Sequence, residues 1–356
     1  MKFNLMLRKS AFLRLLKTFV GILAILASAV LAKALYSQQI IAPIRGTGPI
    51  QSAKLPFAEI RYVGFSSDSK SIRVGSIKGE FVTLSTGDLK PTSKIEPKPP
   101  FAVAASATSH SHRLFALSEW KGEVLVFDSV TEEIRSQLPL KLVSGSKTVD
   151  AIAISRDETQ IATGSRDSIV RMYLISSSEL LWESQPLKQE IVSVAMSPNG
   201  KYVIASTGER TKTTEPGFAV VLDASDGREI HRWQEASSKV NAVLVTEDSR
   251  TVLVASNEAL RAYELISGKL TYTKPEMVGN IRLQSVDDSR CIVAQYPGRI
   301  QIWDLKQART IAIFAGHATK QNLSPPMIWT MDLSPDGKTL VTADITGQVY
   351  IWAMPD

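Results

Sequence analysis

The sequence predicts an all-β protein, a seven-bladed β-propeller preceded by one N-terminal hydrophobic helix. One unit of three apolar strands separated by polar turns recurs along most of the chain. The strands are short and nearly all of their residues are apolar or small, as in sheets that are buried on both faces. A run of 15 uncharged residues, 18–32, lies near the N-terminus and predicts the helix.

The first 36 residues have the composition of a targeting segment. Residues 1–17 are basic, residues 18–32 carry no charge, and small residues follow. This order is typical of a cleaved secretory signal. Fifteen residues is short for a bilayer span, but Lys17 and Lys33 could snorkel and keep the segment as a single-pass membrane anchor. A transit peptide and an amphipathic surface helix are further alternatives. With a signal or an anchor, the body would lie on the extracytoplasmic side.

Charge and cysteine content exclude several classes of protein. The chain has 41 basic and 35 acidic residues, and six of the basic residues lie in 1–34, which has no acidic residue. The remainder therefore holds 35 of each, and a neutral body argues against nucleic-acid binding. A single cysteine, Cys291, excludes an intrachain disulfide and cysteine-based zinc sites.

The recurring unit defines the number of blades. Its spacing of roughly 40 to 49 residues is typical of a four-stranded propeller blade, so seven units predict seven blades. The polar turn between the first two strands recurs at Asp68, Ser111, Asp157, Asn199, Asp248, Asp288 and Asp336. The third strand carries a bulky residue at one position: Leu84, Phe127, Tyr173, Leu222, Tyr263, Trp303 and Trp352.

The chain divides into three predicted regions. Residues 1–36 form the signal or anchor, 37–59 form a linker with a ring-closing outer strand, and 60–356 form the propeller. The last unit ends after its third strand, so its blade lacks an outer strand. The apolar residues 38–44 could supply that strand and remove an exposed sheet edge. The alternative is that they form a flexible tether.

Three short motifs resemble the signatures of WD40-repeat β-propellers. They are the SPDG turn at 334–337, the Gly316-His317 dipeptide and the Trp303-Asp304 pair. The resemblance covers about 60–354, with divergent repeats, and related propellers without WD repeats remain an alternative. It implies a structural set of His, Ser/Thr, Asp and Trp in each unit. The residues assigned to such structural roles are Thr163, Asp167, Tyr173, Trp303, Asp304, His317, Thr342 and Trp352.

The structural set is expected to be incomplete in two of the repeats. In the seventh unit Thr346 occupies the expected Asp position. In the third unit Gly145-Ser146 replaces the Gly-His pair. These departures predict blades of unequal construction on one common fold.

Residues for catalysis or metal binding do not form a pattern. His110 and His112 are two residues apart and could share a ligand on an extended chain, but a solvated turn is the simpler interpretation. Nucleophile elbows, zinc-protease helices and phosphate-binding loops do not occur in the sequence. We therefore expect no catalytic residue, no metal, no cofactor and no small-molecule substrate.

Loops on one face of the predicted ring are the candidate partner-binding surface. Long loops at 207–217 and 316–329 and the tight turns between second and third strands open on the same face. Loops on a rigid scaffold commonly carry binding residues, and Arg, Tyr and Trp are enriched in interface hot spots. Acidic neighbours offset the cations, so no polyanionic partner is indicated. The alternative is that these loops have no binding role. The candidates are Trp120, Lys121, Arg166, Arg210, Lys212, Tyr296, Arg299 and Lys320.

The resemblance implies a protein-interaction scaffold. The sequence thus predicts a non-catalytic propeller, exported or tethered to a membrane through residues 18–32, that binds partner proteins through one loop face. The alternative is a propeller enzyme of the metal-dependent hydrolase or lactonase type. That enzyme would need polar ligands where the inner strands face the central channel, and the inner strands are mainly small and apolar. The identity of the partner is not encoded in a recognisable motif.

Overall fold

A computed structural model describes most of the chain after residue 47. The described residues are 48–95, 102–140, 148–208, 215–235, 239–275, 279, 281–306, 309–314, 317 and 326–355. They form strands and turns and contain no helix, so none of them forms a helix able to cross a bilayer. The chain divides into two compact units, Met1–Gly46 and Thr47–Asp356. The predicted N-terminal helix and targeting segment fall outside the described residues.

Twenty-eight strands account for nearly all regular structure in the described residues. In chain order they are β1 Gln51–Lys54, β2 Ile60–Phe65, β3 Ser71–Ser76, β4 Phe81–Ser85, β5 Pro91–Ile95, β6 Val103–Thr108, β7 Leu114–Glu119, β8 Val124–Asp128, β9 Ile134–Leu138, β10 Val149–Ile154, β11 Gln160–Ser165, β12 Val170–Leu174, β13 Leu180–Glu183, β14 Ile191–Met196, β15 Tyr202–Thr207, β16 Phe218–Asp223, β17 Glu229–Gln234, β18 Val240–Val245, β19 Thr251–Ser256, β20 Ala259–Glu264, β21 Leu270–Pro275, β22 Ile281–Ser285, β23 Arg290–Gln295, β24 Arg299–Asp304, β25 Arg309–Phe314, β26 Ile328–Leu333, β27 Thr339–Asp344 and β28 Gln348–Ala353.

The strands form seven antiparallel sheets of four strands each, which confirms the predicted all-β, seven-bladed propeller. Six blades use consecutive strands, from β2–β5 in blade 1 to β22–β25 in blade 6. Blade 7 consists of β26, β27 and β28 and takes its fourth strand, β1, from the start of the ring. The first strand of each blade lines the central channel and the fourth lies at the rim.

Strand β1 closes the ring by joining the two ends of the propeller. It pairs antiparallel with β28, with Gln51 opposite Ile351 and Lys54 opposite Gln348. Sequence alone favoured residues 38–44 for this strand. Those residues lie outside the described part of the chain, and the structure gives the position beside β28 to Gln51–Lys54 instead. The reason is that the strand lies at the rim, where alternate side chains are exposed and continuous apolarity is not needed.

The core of the described chain is divided among the blade interfaces. Seven apolar clusters lie one between each pair of neighbouring blades. The bulky third-strand residue predicted for each unit is buried in every blade, from Leu84 in β4 to Trp352 in β28, which is fully buried. Each of these residues is paired in register with a residue of the second strand; Trp352, for example, lies opposite Leu340. Stacking of sheets around an axis thus explains why the inner strands are apolar on both faces.

The turns between first and second strands share one hydrogen-bonding scheme. In blade 7 the Ser334 hydroxyl donates to Asp336 Oδ1 at 2.6 Å, and the Lys338 amide donates to the same oxygen. Gly337 follows at φ 69°, a left-handed conformation that glycine adopts without strain. In blade 6 the carboxylate with this role is Asp287 and not the predicted Asp288, since Asp287 accepts from the Ser289 and Arg290 amides.

Candidate partner-binding face and central channel

Strand direction sorts the connections onto two faces of the ring. The turns between second and third strands and the connections between blades lie at one end, which we call the loop face. The turns between first and second strands and between third and fourth strands lie at the other end, which we call the turn face. Both follow from the antiparallel order within each blade, for example β10 to β13 in blade 3.

Five of the eight candidate binding residues lie on the loop face, three in blades 2 and 3 and two in blade 6. Trp120 and Lys121 are in the turn between β7 and β8, and Arg166 follows β11. Tyr296 and Arg299 flank the turn between β23 and β24. The other three candidates, Arg210, Lys212 and Lys320, lie outside the described residues.

Arg166 joins blades 2 and 3 beside Trp120. Its Nε donates to Asp150 Oδ2 at 2.6 Å, and its guanidinium carbon lies 5.3 Å from the centroid of the Trp120 ring. The hydrogen bond to Asp150 raises the pKa of Arg166. The Thr148 hydroxyl also donates to the Trp120 carbonyl oxygen at 3.1 Å. Arg166 therefore has a structural role between blades 2 and 3, whereas Trp120 remains 37% exposed.

Tyr296 is the second large aromatic residue presented by the loop face, 39% exposed. The backbone of Gly279 lies close to it, because a Cβ at Gly279 would be 2.8 Å from Tyr296 Cβ. Lys121 is exposed at the tip of its turn. Rigid aromatic side chains next to charged turns are the residue types expected at an interface centre.

The central channel opens on the loop face through a ring of equivalent residues. The channel encloses about 550 Å³. The second residue of each first strand contributes to its lining at the loop-face end, which we call the mouth. These residues are Arg61, Ala104, Asp150, Val192, Asn241, Arg282 and Trp329.

The mouth contains a stacked cluster that the sequence did not reveal. Trp329 of blade 7 lies between neighbours from blades 1 and 6. The guanidinium carbon of Arg61 is 3.5 Å from the Trp329 ring centroid, and that of Arg282 is 5.1 Å from it. Arg282 Nε also donates to the Trp329 carbonyl oxygen at 2.9 Å. The signal available in the sequence is the position in the repeat: three adjacent blades have Arg, Trp and Arg where the other four have Ala, Asp, Val and Asn.

The structural set of blade 7 is complete, contrary to the sequence expectation. Asp344, and not position 346, supplies the carboxylate. His317 Nδ1 lies 2.8 Å from Asp344 Oδ2, and His317 Nε2 lies 2.8 Å from Thr342 Oγ1. Trp352 Nε1 donates to the same Thr342 oxygen at 2.9 Å. Thr346, the residue at the expected Asp position, donates its hydroxyl to Asp344. The two residues have exchanged positions without loss of the set.

Burial fixes the protonation of this set. Burial lowers the pKa of His317, although the hydrogen bond with Asp344 acts against it. A neutral imidazole donates from one nitrogen and accepts at the other. The network therefore assigns the proton to Nδ1, which donates to Asp344, while Nε2 accepts from the Thr342 hydroxyl.

Blade 3 builds its polar set around an arginine. Arg171 is fully buried and donates from Nη2 to Asp167 Oδ2 at 2.7 Å and from Nε to Glu183 Oε1 at 2.7 Å. Ser165 donates to Asp167 as well, at 2.6 Å. Thr163 is buried, but its hydroxyl has no hydrogen-bond partner among the described residues. Asp167 thus keeps its predicted structural role, whereas the role expected for Thr163 falls to Ser165.

Tyr173 and Trp303 occupy the bulky third-strand position in blades 3 and 6, and both are almost fully buried. Trp303 Nε1 donates to Gln301 Oε1 at 2.9 Å, and Lys274 Nζ lies 4.2 Å from its ring centroid. Asp304 accepts from the Lys306 amide at 2.9 Å and shapes the following turn. All three residues are structural in this fold.

The two histidines of the first turn in blade 2 do not converge on a shared ligand. His110 Nε2 lies 3.1 Å from Arg156 Nη2, and His112 Nε2 lies 3.1 Å from Asp332 Oδ2. Asp332 also accepts from the Phe65 amide at 2.8 Å. Among the described residues, no three His, Cys, Asp or Glu side chains come together as a metal site.

The structure is a seven-bladed β-propeller, and the polar set of blade 7 resembles the set expected in a WD40 repeat. The family model described as "WD domain, G-beta repeat" matches residues 137–173 and 308–353. The second match includes the whole polar set of blade 7, and the first includes Ser165, Asp167 and Arg171 of blade 3. They show that blades 3 and 7 are similar to WD repeats.

A curated relative is similar to about half of the chain. "Autophagy-related protein 16" of Arabidopsis thaliana is 24% identical over 196 residues, which cover 54% of this chain. The match spans 36% of the relative's own length. The similarity therefore concerns about a third of that protein.

Proposed function

We propose that the protein is a non-catalytic scaffold that binds partner proteins through its loop face. The observation that carries the proposal is a seven-bladed ring that presents two half-exposed aromatic residues, Trp120 and Tyr296, on one face. A rigid disc with varied loops can hold several chains at once.

The charged neighbours of Trp120 hold its turn in an ordered conformation, which supports a role in an interface. Arg166 is fixed by Asp150 and orders the turn that carries the indole. An ordered aromatic side chain loses little conformational entropy when a partner covers it. Burial of such a ring contributes more to affinity than an exposed ion pair.

We also propose that the protein is exported or tethered to a membrane. The basic, then apolar, composition of residues 1–36 supports it. Strand β1 starts at Gln51 on the turn face, where the Gln51 amide donates to the Gly87 carbonyl oxygen. Ile50, the residue before β1, therefore lies at the turn face, which is opposite the loop face.

Capture of partners by face variants tests the binding role. The full chain, purified from its own cells after cross-linking, is compared with Trp120→Ala/Tyr296→Ala. The control is Ile134→Ala/Leu181→Ala, which removes exposed apolar residues from outer strands β9 and β13. We expect the face variant to lose at least about tenfold of the captured partner while the control retains it. Equal capture by the face variant, or loss only in the control, would contradict the proposal.

A reporter fusion tests the location. A phosphatase that is active only outside the cytoplasm is fused behind Asp356. We expect an active reporter in whole cells. Activity of a matched cytosolic reporter alone would contradict the extracytoplasmic location and leave the binding role standing.

A further inference from the structure

The mouth of the channel concentrates positive charge between three adjacent blades. Arg61, Trp329 and Arg282 hold the same position in β2, β26 and β22. One indole contacts both guanidinium groups, whose carbon atoms lie 3.5 and 5.1 Å from its ring centroid. All three side chains are half-buried, so they remain partly open to the channel.

The charges along the channel are separated by sign. Lys239 is a third cation lining the loop-face end. The one acidic residue in the mouth ring, Asp150, accepts the hydrogen bond from Arg166 at 2.6 Å. At the turn-face end the lining contains Glu247 and Asp332. A ligand that enters from the loop face therefore meets net positive charge first.

The chemistry of the cluster favours a carboxylate. Stacking on an indole engages the face of a guanidinium, whereas carboxylates are recognised by the N–H donors along its edge. The half-buried position strengthens this attraction relative to an exposed ion pair. A long polyanion such as nucleic acid is less favoured, because residues 35–356 as a whole carry as many acidic as basic residues.

We propose that the mouth binds an acidic segment of a partner protein, with an Asp or Glu side chain bound by N–H groups of Arg61 and Arg282 beside the Trp329 ring. This inference rests on the proposed function, since it names the partner chemistry of the loop face. It also revises the sequence interpretation, in which the cations of this face were offset by acidic neighbours.

The test uses a fluorescein-labelled peptide of ten glutamates and a matched peptide of ten glutamines. Binding to the full chain in detergent is followed by fluorescence anisotropy at low salt. We expect the glutamate peptide to bind and the glutamine peptide not to bind. Arg61→Gln and Arg282→Gln should each weaken binding about tenfold, the loss expected for one hydrogen-bonded charge pair. Arg228→Gln, a highly exposed turn-face residue, is the matched control and should bind like the parent.

Two further variants separate recognition from folding. Arg61→Lys keeps the charge but loses the planar fork, so it should bind between the parent and Arg61→Gln. Trp329→Phe keeps an aromatic surface and should bind better than Trp329→Ala. Thermal unfolding of each variant verifies that the ring is folded, and only folded variants are compared.

Several outcomes would overturn the inference. They are equal binding of both peptides, unchanged binding by folded Arg61→Gln and Arg282→Gln, or tighter binding of a ten-nucleotide single-stranded DNA that depends on the same arginines. If the glutamate peptide fails to bind while Trp120→Ala/Tyr296→Ala still loses the cellular partner, the acidic specificity is wrong and the loop-face scaffold stands.

Discussion

At the scale of single residues, the polar set of blade 7 shows that a residue's role depends on the contacts it makes and not only on its position in the repeat. Trp352 donates to Thr342, Thr342 to His317, and His317 to Asp344. Every member is fully or almost fully buried. A buried chain of hydrogen bonds is stable only when each donor and acceptor is matched, and here each is matched.

Replacing Asp344 should therefore cost more stability than replacing Thr346. Asp344→Ala removes the acceptor of His317 and of the Thr346 and Gln348 amides. We expect a loss of about 3 kcal/mol in the free energy of unfolding, because buried donors are left unsatisfied. Thr346→Ala should cost less than about 1 kcal/mol. Denaturant unfolding measures both, and a larger loss for Thr346→Ala would contradict the assignment.

The same substitution at two tryptophans tests the repeat alignment. Trp303→Ala should lower the free energy of unfolding by about 3–5 kcal/mol, since the side chain is buried between blades. Trp120→Ala should cost less than about 1 kcal/mol, because its side chain is partly exposed on the loop face. Thermal melts of the two variants should separate clearly. An unchanged melting temperature for Trp303→Ala would refute the alignment.

Sequence predicted the bulky third-strand residues but not the acid of the polar set. Large buried side chains recur at one spacing and are visible in a single sequence. The exchange between Asp344 and Thr346 keeps the composition of the turn and changes only which side chain reaches His317. That contact depends on backbone geometry, which spacing alone does not encode.

At the scale of elements, ring closure rests on a short rim strand. Strand β1 contributes four residues to blade 7, and its neighbours Ile50 and Leu55 extend the backbone hydrogen bonds to Ile351 and Gly347. Joining first and last strands removes an exposed edge, which would otherwise be open to pairing with another chain. The closure also ties both ends of the propeller into one cooperative sheet.

A cross-strand disulfide tests which residues close the ring. Ala53 and Val349 are paired across β1 and β28, so Ala53→Cys/Val349→Cys should oxidise readily. The oxidised protein should be more stable than the reduced one by about 2–4 kcal/mol, because the bond constrains the unfolded chain. Gln38→Cys/Val349→Cys is the matched control for residues 38–44. Preferential cross-linking of the control would contradict closure by β1.

The blade count could be predicted because the repeat is carried by buried strands and turn residues. The position of the closing strand could not be predicted, because rim strands expose alternate side chains and have a weak sequence signature. Apolarity pointed to residues 38–44, whereas Gln51–Lys54 is mainly polar. The general lesson is that outer strands are specified by pairing geometry more than by hydrophobicity.

At the scale of the whole molecule, one carboxylate connects three blades around the closure point. Asp332 in β26 accepts from the Phe65 amide of blade 1 and contacts His112 of blade 2. Burial acts against a charged His112, but the hydrogen bond and charge of Asp332 outweigh it and raise the pKa of His112 above its ordinary value. The pair therefore stabilises the ring most when His112 is protonated.

This pair predicts a defined pH dependence. Because the folded-state pKa of His112 is raised, its contribution is complete below the unfolded pKa and is lost as the pH rises through the folded pKa. His112→Gln should thus lose more stability relative to the parent at about pH 5.5 than at about pH 8.5. His231→Gln, on outer strand β17, is the control. A larger loss at the higher pH would contradict the sign.

The candidate site was only partly visible in the sequence. The turns carrying Trp120, Arg166 and Tyr296 could be placed on one face, since strand order fixes which turns share an end. The Arg61–Trp329–Arg282 cluster could not, because its members are far apart in sequence and meet only when blade 7 lies between blades 6 and 1. Ring closure is the event that assembles the mouth.

The most direct test of loop-face binding is a photo-cross-linking scan of the full chain in its own cells. A photoreactive phenylalanine analogue replaces one residue at a time: Trp120 or Tyr296 on the loop face, and Val130 or Ile266 on the turn face, where both are highly exposed. Partner adducts should form from positions 120 and 296 and not from 130 and 266. Adducts confined to positions 130 and 266 would contradict the assignment of the loop face as the binding surface.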